Sequence, residues 1–161
     1  MSNIKLIYDK FHNDHGFMDS NWIDNDIDTI LFIMEENLSK ININKNRVLN
    51  IYTWGIKKYS GEKCDINFDL THFQSKIDPS LDIHKLNGFS QEIIISIIKH
   101  PKFIEIMETL VNNIEQKNPK KIGIFCNHGK HRSVCFAELL KKYIYTKAKV
   151  KHLCNPRRSI I

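Results

Sequence analysis

Cys126, Gly129, Arg132 and Ser133 fall in the pattern C-x-x-G-x-x-R-S, inside Phe125-Cys-Asn-His-Gly-Lys-His-Arg-Ser-Val134. These residue types at this spacing suit the binding of a phosphate group. Arg132 can hold two phosphate oxygens with its planar fork. Gly129 allows a backbone shape and a close approach that a side chain would block. Ser133 can cap the following helix or bond an oxygen. Lys130 and His131 add positive potential, and Asn127 and His128 complete the loop. An ATP-binding P-loop is excluded, because Gly129-Lys130 would need Gly at position 124 and a hydroxyl at 131, where Ile124 and His131 stand.

Such a loop needs a strand to deliver it and a helix to receive it. The apolar run Lys121-Ile-Gly-Ile-Phe125 predicts the strand, and the pattern from Val134 onward predicts a helix to about Tyr145. A helix beginning near Arg132 turns its N–H groups and positive dipole end toward the loop. Around this unit the periodicity predicts a short strand in residues 1–11, a helix over about 21–40 and a buried strand Val48–Trp54. A second strand follows at Asp65–Phe73 and irregular chain at 74–88. A helix from Ser90 to His100 comes next, then one from Pro101 to about Gln116, and a last strand Lys149–Leu153. Strands alternating with helices predict an α/β fold with a small central sheet flanked by helices. Residues 1–47 read as a strand-helix extension and 48–161 as the phosphate-binding domain.

The chain of 161 residues carries a net charge of +6, unevenly spread. Residues 1–45 hold four lysines against eight acids, whereas 117–161 hold twelve Lys/Arg against the single acid Glu138. The basic end suggests a polyanionic partner, although a Lys-rich chain also dresses its surface this way. Lys141, Lys142, Lys147, Lys149, Lys151, Arg157 and Arg158 form the candidate RNA-contacting set. Tyr143 and Tyr145 lie among them as faces for unstacked bases. No apolar run approaches the ~20 residues of a membrane span, and no signal-peptide pattern opens the chain, so a cytoplasmic protein with reduced thiols is expected. Cys64, Cys126, Cys135 and Cys154 show no metal-ligand spacing, and His128 with His131 and His12 with His15, each three apart, have no evident third ligand, so no metal or cofactor is expected.

The loop resembles the C-x5-R signature of the cysteine phosphatases. That resemblance implies Cys126 as nucleophile and Arg132 as the group holding the transferring phosphoryl, in a protein-tyrosine or dual-specificity type of enzyme. The sequence departs from the family in two respects. Between Leu86 and Cys126 there is no Asp to serve as acid for the leaving oxygen, and Phe125 stands where a His usually precedes the nucleophile.

A second resemblance covers residues from about 48 to 153. Asn50-Ile-Tyr-Thr-Trp-Gly-Ile-Lys-Lys-Tyr-Ser-Gly61, Cys64-Asp-Ile-Asn-Phe-Asp-Leu70, Leu86-Asn-Gly-Phe89 and Ile124–Val134 with Ala137-Glu138 follow one another as in the RapZ C-terminal domain family. Val150-Lys-His152 matches that family's last strand. The resemblance implies a non-enzymatic adapter or sensor domain with a phosphate pocket, binding RNA or a phosphorylated metabolite, without the family's N-terminal ATP-binding domain. The pattern departs at Thr71, Asn87, Ser90 and His128. Two further residues are expected at the pocket. Lys57 sits in the loop after Gly55, and Asp69 near the end of the second strand is placed either to orient Arg132 or Lys57 or to terminate the strand. Whether the acidic N-terminal helix packs on the sheet or mediates self-association is open.

Overall fold

A computed structural model describes residues 27–74, 77 and 79–154. The expected strand in residues 1–11, the start of the first helix, and Arg157 and Arg158 lie outside the described residues.

The described elements, in order, are α1 (Ile27–Leu38), β1 (Asn50–Gly55), β2 (Ile66–Asp69), a 3-10 turn (Ile83–Lys85), α2 (Gln91–Ile98), α3 (Phe103–Lys117), β3 (Lys121–Cys126), α4 (Arg132–Tyr143) and β4 (Lys149–His152). The strands form one parallel sheet in the order β2-β3-β1-β4. The α/β architecture expected from the sequence is therefore present.

Strand alternation sorts the side chains onto two different faces. Ile51 and Thr53 of β1, and Ile122, Ile124 and Cys126 of β3, are buried toward the helices. There α4 packs across β1, β3 and β4, while α1, α2 and α3 pack on one another and α2 also on α4. Ile33, Met34, Ile93, Ile97, Phe103, Met107, Leu110, Ile114 and Phe136 join Ile51, Ile122 and Ile124 in one core. The opposite face carries Tyr52, Trp54, Gly123 and Phe125, none of which belongs to that core.

The second strand is shorter than its alternation predicts. The Asp69 carboxylate accepts the Thr71 N–H at 2.8 Å, and this Asx turn bends the chain out of the ladder. Asp69 thus ends the strand, and Arg132 is near enough to lower its pKa. Lower on the same strand edge, Asp65 accepts the N–H groups of Lys120 and Lys121 at 2.9 and 3.0 Å and fixes the entry to β3. Pro101 precedes α3 rather than opening it, and Ser90 is the N-cap residue of α2 without a side-chain capping bond. The Ser90 hydroxyl instead accepts the Asn87 N–H at 2.9 Å.

Candidate phosphate-binding loop

β3 delivers residues 127–131 to the C-terminal edge of the sheet, the edge at which open α/β sheets bind ligands. Gly129 adopts φ +70°, a left-handed conformation that L side chains resist. The loop then turns into α4, whose first intrahelical bond runs from Cys135 N–H to the His131 carbonyl. The N–H groups of Arg132 to Val134 precede that bond, as in the first turn of any helix.

The loop lies directly against the end of β1. A Cβ on Gly55 would sit 2.1 Å from the His128 carbonyl carbon and 2.4 Å from the Gly129 nitrogen. Ile56 and Lys57 N–H groups donate to the Cys126 and Asn127 carbonyls at 2.9 and 3.0 Å. The Lys57 main chain is thereby held beside the loop, and its side chain is exposed.

Cys126 is 2% exposed. Its Sγ accepts the Gly129 N–H at 3.2 Å and lies 3.3 Å from Ser133 Oγ, which is fully buried. Cys154 reaches the same junction from the end of β4, accepting the Gly55 N–H at 3.3 Å. Nothing in the spacing of the cysteines had pointed to Cys154.

The three basic residues of the motif are engaged with the flanking chain. Arg132 Nη1 donates to the carbonyls of Leu70, Thr71 and Phe73 at 3.1, 2.9 and 2.7 Å. His131 Nε2 lies 3.1 and 2.8 Å from the carbonyls of Ile83 and Leu86, and Lys130 Nζ donates to the His84 carbonyl. The Gly88 N–H donates back to the Lys130 carbonyl at 2.7 Å. Segment 82–88, read from sequence as irregular, is thus pinned beside the motif. It fits only because position 88 is Gly: a Cβ there would lie 2.5 Å from Val134 Cβ.

Charge gathers at the loop mouth. Partial desolvation lowers the His128 pKa, and Lys57, Lys58, Arg132 and His84 lower it further. Burial also lowers that of His131, against the two carbonyls it faces. Asp69 is the local exception. The Thr71 hydroxyl and N–H hold its carboxyl below the usual range, with His72 and Arg132 adding to the effect.

The lysines proposed for RNA fall into a different region. Lys141 and Lys142 close α4, and Lys147 lies in the turn before β4, so all three occupy the sheet edge opposite the loop. The 12-residue α4 separates the two regions by roughly 18 Å. Lys149 and Lys151 run up the exposed side of β4 between them. Tyr145 does not offer a face to a base. It is fully buried, and its hydroxyl donates to Glu115 at 2.6 Å. Tyr143 is half-buried beneath the Lys142 ammonium.

Among the described residues there is no group of three His, Cys, Asp or Glu that could hold a metal ion, and no helix long and apolar enough to cross a membrane. No curated protein matches the chain in sequence. The family model of the RapZ C-terminal domain matches residues 47–157, a span holding all four strands, α2 to α4 and the whole loop. On that match the chain belongs to the RapZ C-terminal domain family.

Proposed function

We propose that this chain is a non-catalytic module that binds RNA by its phosphates, with residues 126–133 as one anchoring point. A phosphorylated metabolite is the alternative occupant of the same loop. The observation that carries the reading is a strand-to-helix loop packed backbone to backbone against Gly55, with Lys57 held beside it and Arg132 opening the helix that follows. Membership of a family of RNA-binding adapter domains supports it. Lys141, Lys142, Lys147, Lys149 and Lys151 supply further positive charge for a polyanion longer than one phosphate.

The phosphatase reading has less support. Asp82, the one described carboxylate in the 82–88 segment, accepts the N–H of His84 and caps the 3-10 turn.

The test is fluorescence anisotropy of labelled RNA across a salt titration, for the wild type and for Lys147→Glu/Lys149→Glu. Hydrolysis of a generic aryl phosphate is measured alongside. Binding that falls steeply with salt, weakens in the double variant and comes without turnover is expected. Turnover lost in Cys126→Ser, without RNA binding, would replace this reading with the phosphatase.

A further inference from the structure

The sheet face turned away from the helices joins the loop edge to the lysine-bearing edge. A parallel sheet is ordinarily covered on both faces. Among the described residues the large core occupies one face, and the other carries the buried Trp54 ring and the half-buried Tyr52 and Phe125 among polar residues. Lys151, Tyr52, Gly123 and Asn67 stand in register across four strands, with Lys151 and Asn67 exposed. One step toward the loop, Trp54 and Phe125 stack as register partners, centroids 5.5 Å apart and planes 17° from parallel. Gly61 closes over the Trp54 ring, which is buried, while Tyr52 and Phe125 are half-buried. The Gly123 position keeps the floor flat, since a Cβ there would lie 2.3 Å from the Trp54 ring.

Charge on this face is graded. Lys149 and Lys151 stand on the β4 side, whereas Lys121, over the Tyr52 ring at 4.9 Å, is paired with Glu62 at 3.1 Å. Asp65 and Asp69 lie on the β2 side. A flat aromatic floor bordered by cations along one side suits a strand with a phosphate backbone on that side and bases turned inward. We propose that this face takes the unpaired bases of a single-stranded RNA segment, stacked on Phe125 and, in place of the Lys121 ammonium, on Tyr52, with Lys149 and Lys151 following its backbone. The proposal rests on the RNA-binding reading and goes beyond it by assigning the surface and the strandedness.

The test is ultraviolet crosslinking of the full chain to a uridine-rich single-stranded RNA, with the crosslinked residue mapped by mass spectrometry. It is paired with affinities of Tyr52→Leu and Lys151→Gln for that RNA and for a duplex of equal length. Crosslinks at Tyr52 or Phe125 are expected. Tyr52→Leu is expected to weaken single-strand binding at least about fivefold, the lower end for one lost base stack, with the duplex affinity and the melting temperature little changed. Should Tyr52→Leu fail to fold, weaker RNA binding in Lys151→Gln, at an exposed position, together with a crosslink at Phe125 carries the test. Crosslinks confined to 127–132, with both variants neutral, would overturn the assignment while leaving the loop reading intact. Loss of all RNA binding would overturn both. A dimer in light scattering that Tyr52→Leu dissociates, or Tyr52 and Phe125 already protected from hydroxyl radicals in the free chain, would give the face to protein and overturn it as well.

Discussion

Gly55 and Gly129 exclude a side chain from one another's positions: a Cβ on Gly129 would lie 2.4 Å from the Gly55 nitrogen, and a Cβ on Gly55 2.4 Å from the Gly129 nitrogen. The end of β1 and the 127–131 loop are thereby packed main chain against main chain. Gly129→Ala meets two penalties, about 1–2 kcal/mol for the left-handed conformation and the displacement of Gly55. Gly55→Ala has only the clash, but against backbone that cannot rotate away, and overpacking of this kind costs about 1–3 kcal/mol. Urea denaturation should show both losses. RNA affinity at temperatures where the variants remain folded should fall in both, because Lys57 loses its place beside the loop.

Arg132 ties the loop to the turn after β2 through three carbonyls. Lysine has a single flexible ammonium in place of the planar fork. Arg132→Lys is expected to retain the charge but not the bracing, destabilising the domain by about 1–2 kcal/mol as carbonyls lose their donor. Calorimetric melting would reveal this. A melting temperature unchanged in Arg132→Lys would show that the three bonds do not hold the turn.

The order of elements was legible in the sequence because their periodicities are strong. The Ile/Leu spacing of α1, the apolar stripe of α3 and the run Lys121–Phe125 each match the structure to within a few residues over the part described. The loop was legible because C-x-x-G-x-x-R-S concentrates rare types at one strand-helix junction. The partners of Arg132 and His131 were not, because both side chains meet main-chain carbonyls, and a carbonyl leaves no mark on residue type. The end of β2 was misplaced for a related reason. Leu70 continues the apolar alternation, but the carboxylate of Asp69 turns the chain first. Tyr145 looked like part of an interleaved aromatic surface until Glu115, thirty residues away, was found to hold its hydroxyl.

That Glu115 joins α3 to the chain before β1 and to the end of α4. It accepts from Arg47 Nη2 and Nε at 2.9 Å each, from the Asn44 N–H at 3.0 Å and from Tyr145. Burial opposes its charge, but the bonds from Arg47, Tyr145 and Asn44 prevail and lower its pKa. Its contribution is therefore fully present above the unfolded carboxyl pKa of about 4.3 and is lost as pH falls through the lower folded value. Glu115→Gln should cost about 2 kcal/mol at pH 7, less than the loss of one partner of a fully buried pair. Urea stability curves from pH 7 to 3 should converge for wild type and variant in acid. Parallel curves over that range would exclude the carboxylate as their source.

His128 reports on the loop without a label. Desolvation, then Lys57, Lys58 and Arg132, with His84 nearby, hold its pKa below the ordinary histidine value. An anion seated among those cations would offset them and favour the imidazolium, so the His128 pKa should rise on binding. Linkage requires the converse, that the anion binds more tightly as pH falls through the range where His128 titrates. Sulfate is the suitable probe, since its charge is constant there while phosphate titrates. Nuclear magnetic resonance of the His128 ring across pH 5 to 8, with and without sulfate, should show the rise, diminished in Lys57→Glu. A His128 titration indifferent to sulfate would place the anion elsewhere and remove the loop from the binding surface.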